Sequence, residues 1–204
     1  MEESRAVGLA PEDETRAVCH GLIACLFLSP PSSAFLRTIM QYDLVQSEMD
    51  TPLSDAWRQL QESAGKCDPA RLRQEYDDLF IGVGKPEIML QACYYLTGFL
   101  MEKPLARLRD HLDELGFERR RSVAESEDHI SALCEVMRVL VAGYDAQPPA
   151  PIETQHEFFQ RHIAPWAPKL AAALEQNRVS TFYAHAGKFM KAFFQIEHES
   201  FEIV

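Results

Sequence analysis

The stretch SVAESEDHISALCEVMRVLVA, residues 122–142, indicates the fold class. Its apolar residues return every three or four positions, which is the spacing of one face of an α-helix. The residues of this apolar stripe are Ile130, Leu133, Cys134, Met137, Leu140 and Val141. Ser122 and Glu125 have the spacing of a capping box, so we expect the helix to begin there, with the acidic run and His129 in its first turn.

The same periodicity continues along most of the chain, and no sustained alternation of period two indicates a strand. Helix starts are predicted at Pro11, at Pro52 and at the pair Asp68–Pro69, because proline is favoured in the first helical position. Further helices are predicted over residues 94–100, 104–116, 156–175 and 181–197. We expect an all-α protein, a single helical domain of about eight to ten helices.

The segment GYDAQPPAPI, Gly143 to Ile152, contains three prolines and one glycine. Because proline removes a helical hydrogen bond and clashes with the preceding turn, no helix is expected to pass through it. We predict a hinge at 143–152 between an N-terminal helical part, 1–142, and a C-terminal helical part, 153–204. The expected state is mostly monomer, with some domain-swapped homodimer formed through this hinge.

The charge balance favours some classes of partner and disfavours others. Twenty Lys and Arg residues against thirty-one Asp and Glu residues leave a formal net charge of -11, which repels nucleic acid and attracts cations or basic peptides. The five cysteines are scattered without CxxC spacing, which is typical of reduced thiols. The N-terminus lacks a signal-peptide pattern and the apolar run LIACLFL is too short to span a bilayer, so we expect a cytoplasmic protein without stable membrane insertion.

Glu153 and His156 form a Glu-x-x-His pair, the spacing from which helical bundles build di-iron sites. Such a site needs a second copy of the motif, and none is present. No GxSxG elbow or HExxH motif occurs either. We therefore expect no bound metal and no enzymatic activity. A helical metal-dependent enzyme using Glu153 and His156 is the alternative, and a helical scaffold without a peptide groove is a third interpretation.

Asp128 and His129 fall in the predicted first turn of the helix. Free backbone N–H groups and the helix dipole stabilise a carboxylate there and disfavour an imidazolium, so His129 should be neutral near pH 7. The simplest interpretation is that Glu125, Glu127 and Asp128 only complement the dipole. The three arginines 119–121 are in the same way explained by the end of the preceding helix.

Five blocks of sequence follow one another in a characteristic order. They are YDDLF at 76–80, YYLTGFLMEKPLARLR at 94–109, EDHI at 127–130, FFQRHIAPW at 158–166 and FY at 182–183. In order and spacing they resemble the TorD/DmsD/NarJ family of redox-enzyme maturation chaperones, from about Glu75 to the C-terminus. The chain departs from that family at IMLQACYY, residues 88–95, where Leu90 and Cys93 stand near the family's proline and serine.

The resemblance implies a TorD-like helical bundle that acts as a cytoplasmic, system-specific chaperone. Members of the family bind the twin-arginine leader or the apo form of a molybdoenzyme, of the DMSO/TMAO reductase, formate dehydrogenase or nitrate reductase type. They assist cofactor insertion before export or assembly. Guanine nucleotide and molybdopterin are compatible with the family, but no feature of this sequence supports either, so no cofactor is expected.

The resemblance also implies a peptide-binding site. Its residues in this chain are Glu127, Asp128, His129, Tyr76, Leu79, Phe80, Pro86 and Tyr95. A leader presents two arginines beside an apolar stretch, so its receptor should offer carboxylates next to an apolar groove. Asp128 is the first candidate to accept a guanidinium. We expect His129 to hydrogen-bond the peptide, and Tyr76, Leu79 and Phe80 to form the apolar floor.

Overall fold

A computed structural model describes residues 9–44, 51–82, 84–119, 123–145 and 147–202. In these residues the chain forms ten α-helices and one π-helical turn, and no strands. The helices are α1 (Pro11–Leu28), α2 (Ser33–Gln41), α3 (Pro52–Lys66), α4 (Pro69–Tyr76), α5 (Ala92–Thr97), α6 (Lys103–Glu114), α7 (Ile130–Ala142), α8 (Ile152–His162), α9 (Ala167–Gln176) and α10 (Phe182–Glu202). The π-helical turn, Asp77–Ile81, continues α4. The all-α prediction is confirmed.

The three helix starts predicted from proline are also confirmed. Pro11, Pro52 and Pro69 each occupy the beginning of their helix. In α3 the Thr51 hydroxyl accepts a hydrogen bond from the Ser54 N–H at 3.1 Å. In α4 the Asp68 carboxylate accepts one from the Ala70 N–H at 3.1 Å, as an N-cap residue does.

Three predicted helix boundaries are wrong. The helix at 94–100 ends at Thr97, because Gly98 adopts a left-handed conformation with φ 84° and turns the chain away. The single helix predicted over 156–175 is divided into α8 and α9 by the turns at residues 163–166, next to Pro165 and Pro168. The capping box at Ser122 does not start a helix at Glu125: α7 begins at Ile130, and Ser122 itself lies outside the described residues.

The helices share one core. Helix α1 packs along α7, and α10 packs against α3 and α9 and also contacts α1. Trp57 of α3 and Phe189 of α10 contribute to this packing, with ring centroids 5.3 Å apart. The C-terminal helices therefore complete the core of the N-terminal ones, and the hinge at 143–152 stays a prediction. In that loop Gly143 has φ 76°, and a Cβ there would collide with the Gln147 carbonyl oxygen.

Two buried glutamates connect distant parts of the chain in this core. Glu197 of α10 accepts hydrogen bonds from Arg16, at 2.7 and 3.1 Å, and contacts His20 Nε2 at 3.1 Å, both on α1. Burial by itself raises the pKa of Glu197, but the hydrogen bonds and charges of His20 and Arg16 lower it to about 2. Glu197 is therefore ionised at neutral pH and joins α10 to α1.

Glu75 of α4 caps the beginning of α10 from more than a hundred residues away. Its carboxylate accepts hydrogen bonds from the backbone N–H groups of Thr181, Phe182 and Tyr183 at 2.7, 3.3 and 2.9 Å, and from the Thr181 hydroxyl. These are N–H groups that a helix leaves unpaired at its start. A negative charge at this end is also favoured by the helix dipole.

None of the described helices combines the length and the apolar character needed to cross a bilayer. All five cysteines lie in described residues and are free thiols.

Candidate functional site

The segment before α7 is bound across the beginning of α5. The Ala92 N–H donates to the Asp128 carbonyl and the Ile130 N–H donates to the Leu90 carbonyl, both at 2.9 Å. This short antiparallel bridge between Gln91 and His129 fixes the EDHI segment against IMLQACYY. It also explains why α7 does not begin earlier. Residues 127–128 form a turn in which the His129 N–H donates to the Ser126 carbonyl at 3.1 Å, and His129 is extended to pair with Gln91, so the helix begins only at Ile130.

Asp128 is part of this connection. One carboxylate oxygen accepts a hydrogen bond from the Cys93 N–H at 2.9 Å, in the first turn of α5, and the other accepts from the Ser126 hydroxyl. The residue is only 3% exposed, and yet it lines the wall of a cavity. Asp128 therefore holds α5 in place while it brings a negative charge to that wall.

His129 is the N-cap of α7. Its Nδ1 atom accepts a hydrogen bond from the Ser131 N–H at 3.2 Å and lies 2.6 Å from the Ser131 hydroxyl. Burial lowers the pKa of His129 to about 4, against the opposing charge of Asp128. The prediction of a neutral His129 is thus confirmed, although burial and not a position inside the helix is its main cause. The ring is 3% exposed and presents little surface to a ligand.

Glu127 is already paired within the chain. Arg109 of α6 donates to its carboxylate at 2.9 Å, and an Arg119 nitrogen lies 4.0 Å from the other oxygen. Burial by itself raises the pKa of Glu127, but the hydrogen bond and charge of Arg109, with Arg119, lower it below its usual value. Arg119 also donates to the carbonyl oxygens of residues 123–125. Arg119 therefore orders the segment before α7. Arg120 and Arg121 lie outside the described residues.

The cavity beside Asp128 has a volume of about 800 Å³ and lies between α5, α6 and the end of α8. Its apolar lining includes Ala92, Leu96, Pro104, Leu108 and Pro165. Its polar lining comprises Thr97, Lys103, Arg107, Asp110, His111, Glu114, Asp128, Arg161 and His162. The walls thus combine both signs of charge with apolar surface, a composition suited to a peptide.

The charges that α6 presents to this cavity are separated by sign. Lys103 and Arg107 lie in its first half, whereas Asp110 and Glu114 lie in its second half. All four are exposed, and in the described part of the chain none of them is in an ion pair. Two free carboxylates at one end of a cavity can receive guanidinium groups from outside.

Two histidines meet at the same end of the cavity. His111 Nδ1 lies 2.8 Å from His162 Nε2, so one ring donates and the other accepts. Burial, together with the charges of His111 and Arg161, lowers the pKa of His162 to about 4. This contact joins α6 to α8 where both rings line the cavity.

The structure brings together only part of the predicted site. Tyr76, Leu79 and Phe80 are in the core, with exposed fractions of 7, 0 and 8%. The Tyr76 hydroxyl donates to the Leu28 carbonyl at 3.2 Å, and the Phe80 ring packs against Tyr183 at 4.8 Å. These side chains were expected to form the floor of a groove, but packing against α1 and α10 covers them. Their placement therefore does not support direct contact with a peptide.

Pro86 and Tyr95 are half-buried, and neither lines the cavity. The Tyr95 ring stacks on Trp166 with centroids 5.4 Å apart, and its hydroxyl donates to the Met89 carbonyl at 2.9 Å. Tyr95 thus anchors α5 to the turn before α9. Its role in binding a peptide stays a prediction.

Sequence reasoning missed Asp110 and Glu114. The signal that could have found them was their spacing of four residues on a helix whose buried face carries Leu105, Leu108 and Leu112. That spacing indicates a shared exposed face, but it does not indicate the cavity beside it.

Glu153 and His156 do not form a metal centre with their neighbours. Glu153 is exposed, and the His156 ring stacks on Phe201 at 5.0 Å. Over the described ranges, no three His, Cys, Asp or Glu side chains are grouped closely enough to hold a metal ion.

Comparisons with known proteins place this site inside a matched region. The family described as nitrate reductase delta subunit matches residues 46–172, which include α5, α6 and the segment before α7. The chaperone protein TorD of Vibrio cholerae serotype O1, strain El Tor Inaba N16961, is 25% identical over 130 residues, which are 61% of this chain and 59% of that protein. TorD of the Classical Ogawa 395 strain matches to the same extent. The match thus spans about three fifths of the length of these curated relatives.

A solved structure supports the fold over nearly the whole chain. It comes from Archaeoglobus fulgidus and is described as a candidate redox enzyme maturation protein. It superposes with a TM-score of 0.58 at 16% sequence identity and covers 96% of this chain and 99% of that one. At this identity the likeness shows the helical architecture alone.

Proposed function

Because the chain belongs to the nitrate reductase delta subunit family, we propose that it is a TorD-like redox-enzyme maturation chaperone without catalysis of its own. In this role it binds the apo form of a molybdoenzyme through its twin-arginine leader, or an equivalent segment, and holds it until the cofactor is inserted. The main support is the position of the cavity, whose unpaired carboxylates lie within the region that matches the family.

The charges of this cavity suit a peptide that carries two arginines. Asp110 and Glu114 are exposed and without ion-pair partners among the described residues, so they can bind guanidinium groups without first losing a contact. Asp128 adds negative charge from the wall, although both of its oxygens already accept hydrogen bonds. The formal net charge of -11 attracts a basic leader over longer distances.

Capture from the native host tests this proposal. The full chain carries an affinity tag, and the polypeptides that co-purify are identified by mass spectrometry. We expect the precursor of a molybdoenzyme, with its leader protected from proteolysis. The double variant Asp110→Asn/Glu114→Gln should bind a synthetic peptide of that leader about threefold to thirtyfold more weakly, because each exposed ion pair is worth up to about 1 kcal/mol.

The matched control is Glu12→Gln/Glu14→Gln at the start of α1. Both of these glutamates are exposed, and neither lines the cavity. Each double variant changes the formal net charge from -11 to -9, because two negative charges are removed. If both variants weaken binding equally, only the overall charge attracts the peptide and the cavity is not its site. If no molybdoenzyme precursor is captured, the proposed function is wrong.

A further inference from the structure

The last turn of α5 and the loop that follows it expose four apolar side chains beside the cavity. Phe99 and Met101 are 69 and 70% exposed, and Leu96 and Leu100 are 38 and 45% exposed. Four such residues lie within six positions, and a cluster of exposed large apolar side chains in a soluble protein marks a site of interaction. We call Leu96, Phe99, Leu100 and Met101 the apolar loop.

The backbone holds these side chains outward in a fixed arrangement. The Thr97 hydroxyl donates to the Cys93 carbonyl at 2.9 Å and accepts from the Phe99 N–H at 3.2 Å. The Gly98 N–H donates to the Tyr94 carbonyl at 2.8 Å. Met101 has φ 60°, a left-handed conformation that is unfavourable for a residue with a side chain. The apolar loop is thus shaped before any partner arrives, which lowers the entropy cost of binding.

The apolar loop is continuous with the cavity, because Leu96 belongs to both. The charges of α6 make the two ends of this combined surface different. Lys103 and Arg107, next to the apolar loop, repel arginines, whereas Asp110 and Glu114 at the far end attract them. The surface therefore offers an apolar end and an end with two unpaired carboxylates, separated by Lys103 and Arg107. Arg161 also lines the second end, where its guanidinium is paired with Glu157 at 2.7 Å.

We propose that the apolar loop binds the apolar segment of the leader, and that the leader runs antiparallel to α6. In leaders the basic residues precede the apolar segment, so the arginine pair lies against Asp110 and Glu114 and the following residues extend toward Phe99. The twelve residues of α6 span about 18 Å, which roughly five extended residues cover. This inference rests on the proposed function and adds the binding surface and direction of the leader.

Site-specific photo-crosslinking in the native host tests the direction. A benzophenone side chain replaces Phe99 in one full-length variant and Arg161 in another. Arg161 lines the cavity next to His162, which contacts His111. We expect the probe at position 99 to crosslink to the apolar segment of the leader and the probe at position 161 to crosslink near the arginine pair, as mapped by mass spectrometry. A probe at Leu28, 51% exposed on α1, is the control and should not label the leader.

Binding of the leader peptide tests the contribution of the apolar loop. The variant Phe99→Ser/Met101→Ser should bind it about tenfold more weakly or worse, since the burial of two large side chains is lost. Its melting temperature should be unchanged, because both side chains are exposed. The control Leu28→Ser/Val179→Ser removes two side chains that are 51 and 42% exposed and do not line the cavity. It should bind like wild type.

The outcomes separate this inference from the proposed function. If wild type binds the leader but the Phe99→Ser/Met101→Ser variant binds equally well, the apolar loop is not the docking surface, and the proposed function stands. The inference is also wrong if the probe at position 99 labels a second copy of the chain, the mature client or the arginine end of the leader. If wild type captures no protein with such a leader, both proposals fail together.

Discussion

The carboxylates of the core and those of the cavity differ in how many partners they have. Glu75 and Glu197 are buried, and both oxygens of each carboxylate accept a hydrogen bond from a distant part of the chain. Asp110 and Glu114 are exposed, and among the described residues they have no such partners. Charges that are fully paired inside the chain stabilise the fold, whereas unpaired charges beside a cavity can bind a ligand. The following predictions test this division.

The largest loss of stability is expected from Glu197→Ala. This change leaves Arg16 and His20 beside a core that no longer contains their counter-charge, and breaking a buried ion pair costs about 3 to 5 kcal/mol. Urea unfolding followed by circular dichroism measures the free energy of unfolding. Glu197→Gln retains the shape and one acceptor, so its loss should be smaller. If Glu197→Ala unfolds like wild type, the contacts with α1 do not stabilise the fold.

The next largest effect is expected on acidification, through His129. Its pKa is about 4 in the folded protein, whereas a histidine in the unfolded chain has its ordinary pKa of about 6.5. The unfolded state therefore takes up a proton between these values and the folded state does not, so the free energy of unfolding falls as pH decreases from about 6.5 to about 4. A shift of this size corresponds to about 3 kcal/mol at roughly 1.36 kcal/mol per unit.

The variant His129→Asn isolates this contribution. Asparagine is a good N-cap and can still accept the Ser131 N–H, but it does not titrate. Urea unfolding at about pH 7 and about pH 4.5, on either side of most of this titration, should show a smaller loss of stability for the variant than for wild type. An identical loss in both proteins would assign the acid sensitivity to other groups, such as His162, whose pKa is also lowered to about 4.

A smaller loss is expected from Glu75→Ala. The N–H groups of Thr181 and Tyr183 then lose their acceptor at a partly buried helix start, which costs about 2 to 3 kcal/mol. Asp78→Ala is the matched control, because Asp78 lies three residues further along and is exposed. Among the described residues its side chain bonds only to the Gln74 side chain. It should change the free energy of unfolding by less than about 0.5 kcal/mol. Equal losses in the two variants would contradict a specific cap on α10.

The local signals of this fold could be predicted from the sequence, and the long-range ones could not. Proline and capping residues act within one turn, so the starts of α1, α3 and α4 follow from a few neighbouring letters. The beginning of α7 does not, because Asp128 is held by Cys93, 35 residues away, and the extended His129 next to it pairs with Gln91. A capping-box pattern cannot reveal that competition.

The roles of individual acidic residues could not be predicted either, because they depend on contacts between residues far apart in the sequence. In the sequence Glu75 and Glu197 look like ordinary surface glutamates, and only the packing of α10 buries them against α4 and α1. Conversely, the aromatic pattern of Tyr76 and Phe80 predicts an apolar surface but does not tell whether another helix covers it. Of the EDHI motif only Asp128 lines the cavity, and its role in binding stays a prediction, while the free carboxylates of α6 were found from the structure alone.

The smallest effect on stability is expected from the cavity variant Asp110→Asn/Glu114→Gln. Neither carboxylate has an ion-pair partner in the described residues, so their removal breaks no ion pair there, and the free energy of unfolding should change by less than about 0.5 kcal/mol. Urea unfolding at low and at physiological ionic strength measures this. Lys103 and Arg107 lie on the same face of α6 and attract these carboxylates weakly. Because salt screens that attraction, the change in the free energy of unfolding should be smaller at physiological than at low ionic strength. A loss comparable to that of Glu75→Ala would mean that these carboxylates stabilise the fold, and the division between structural and ligand-binding charges would then be wrong.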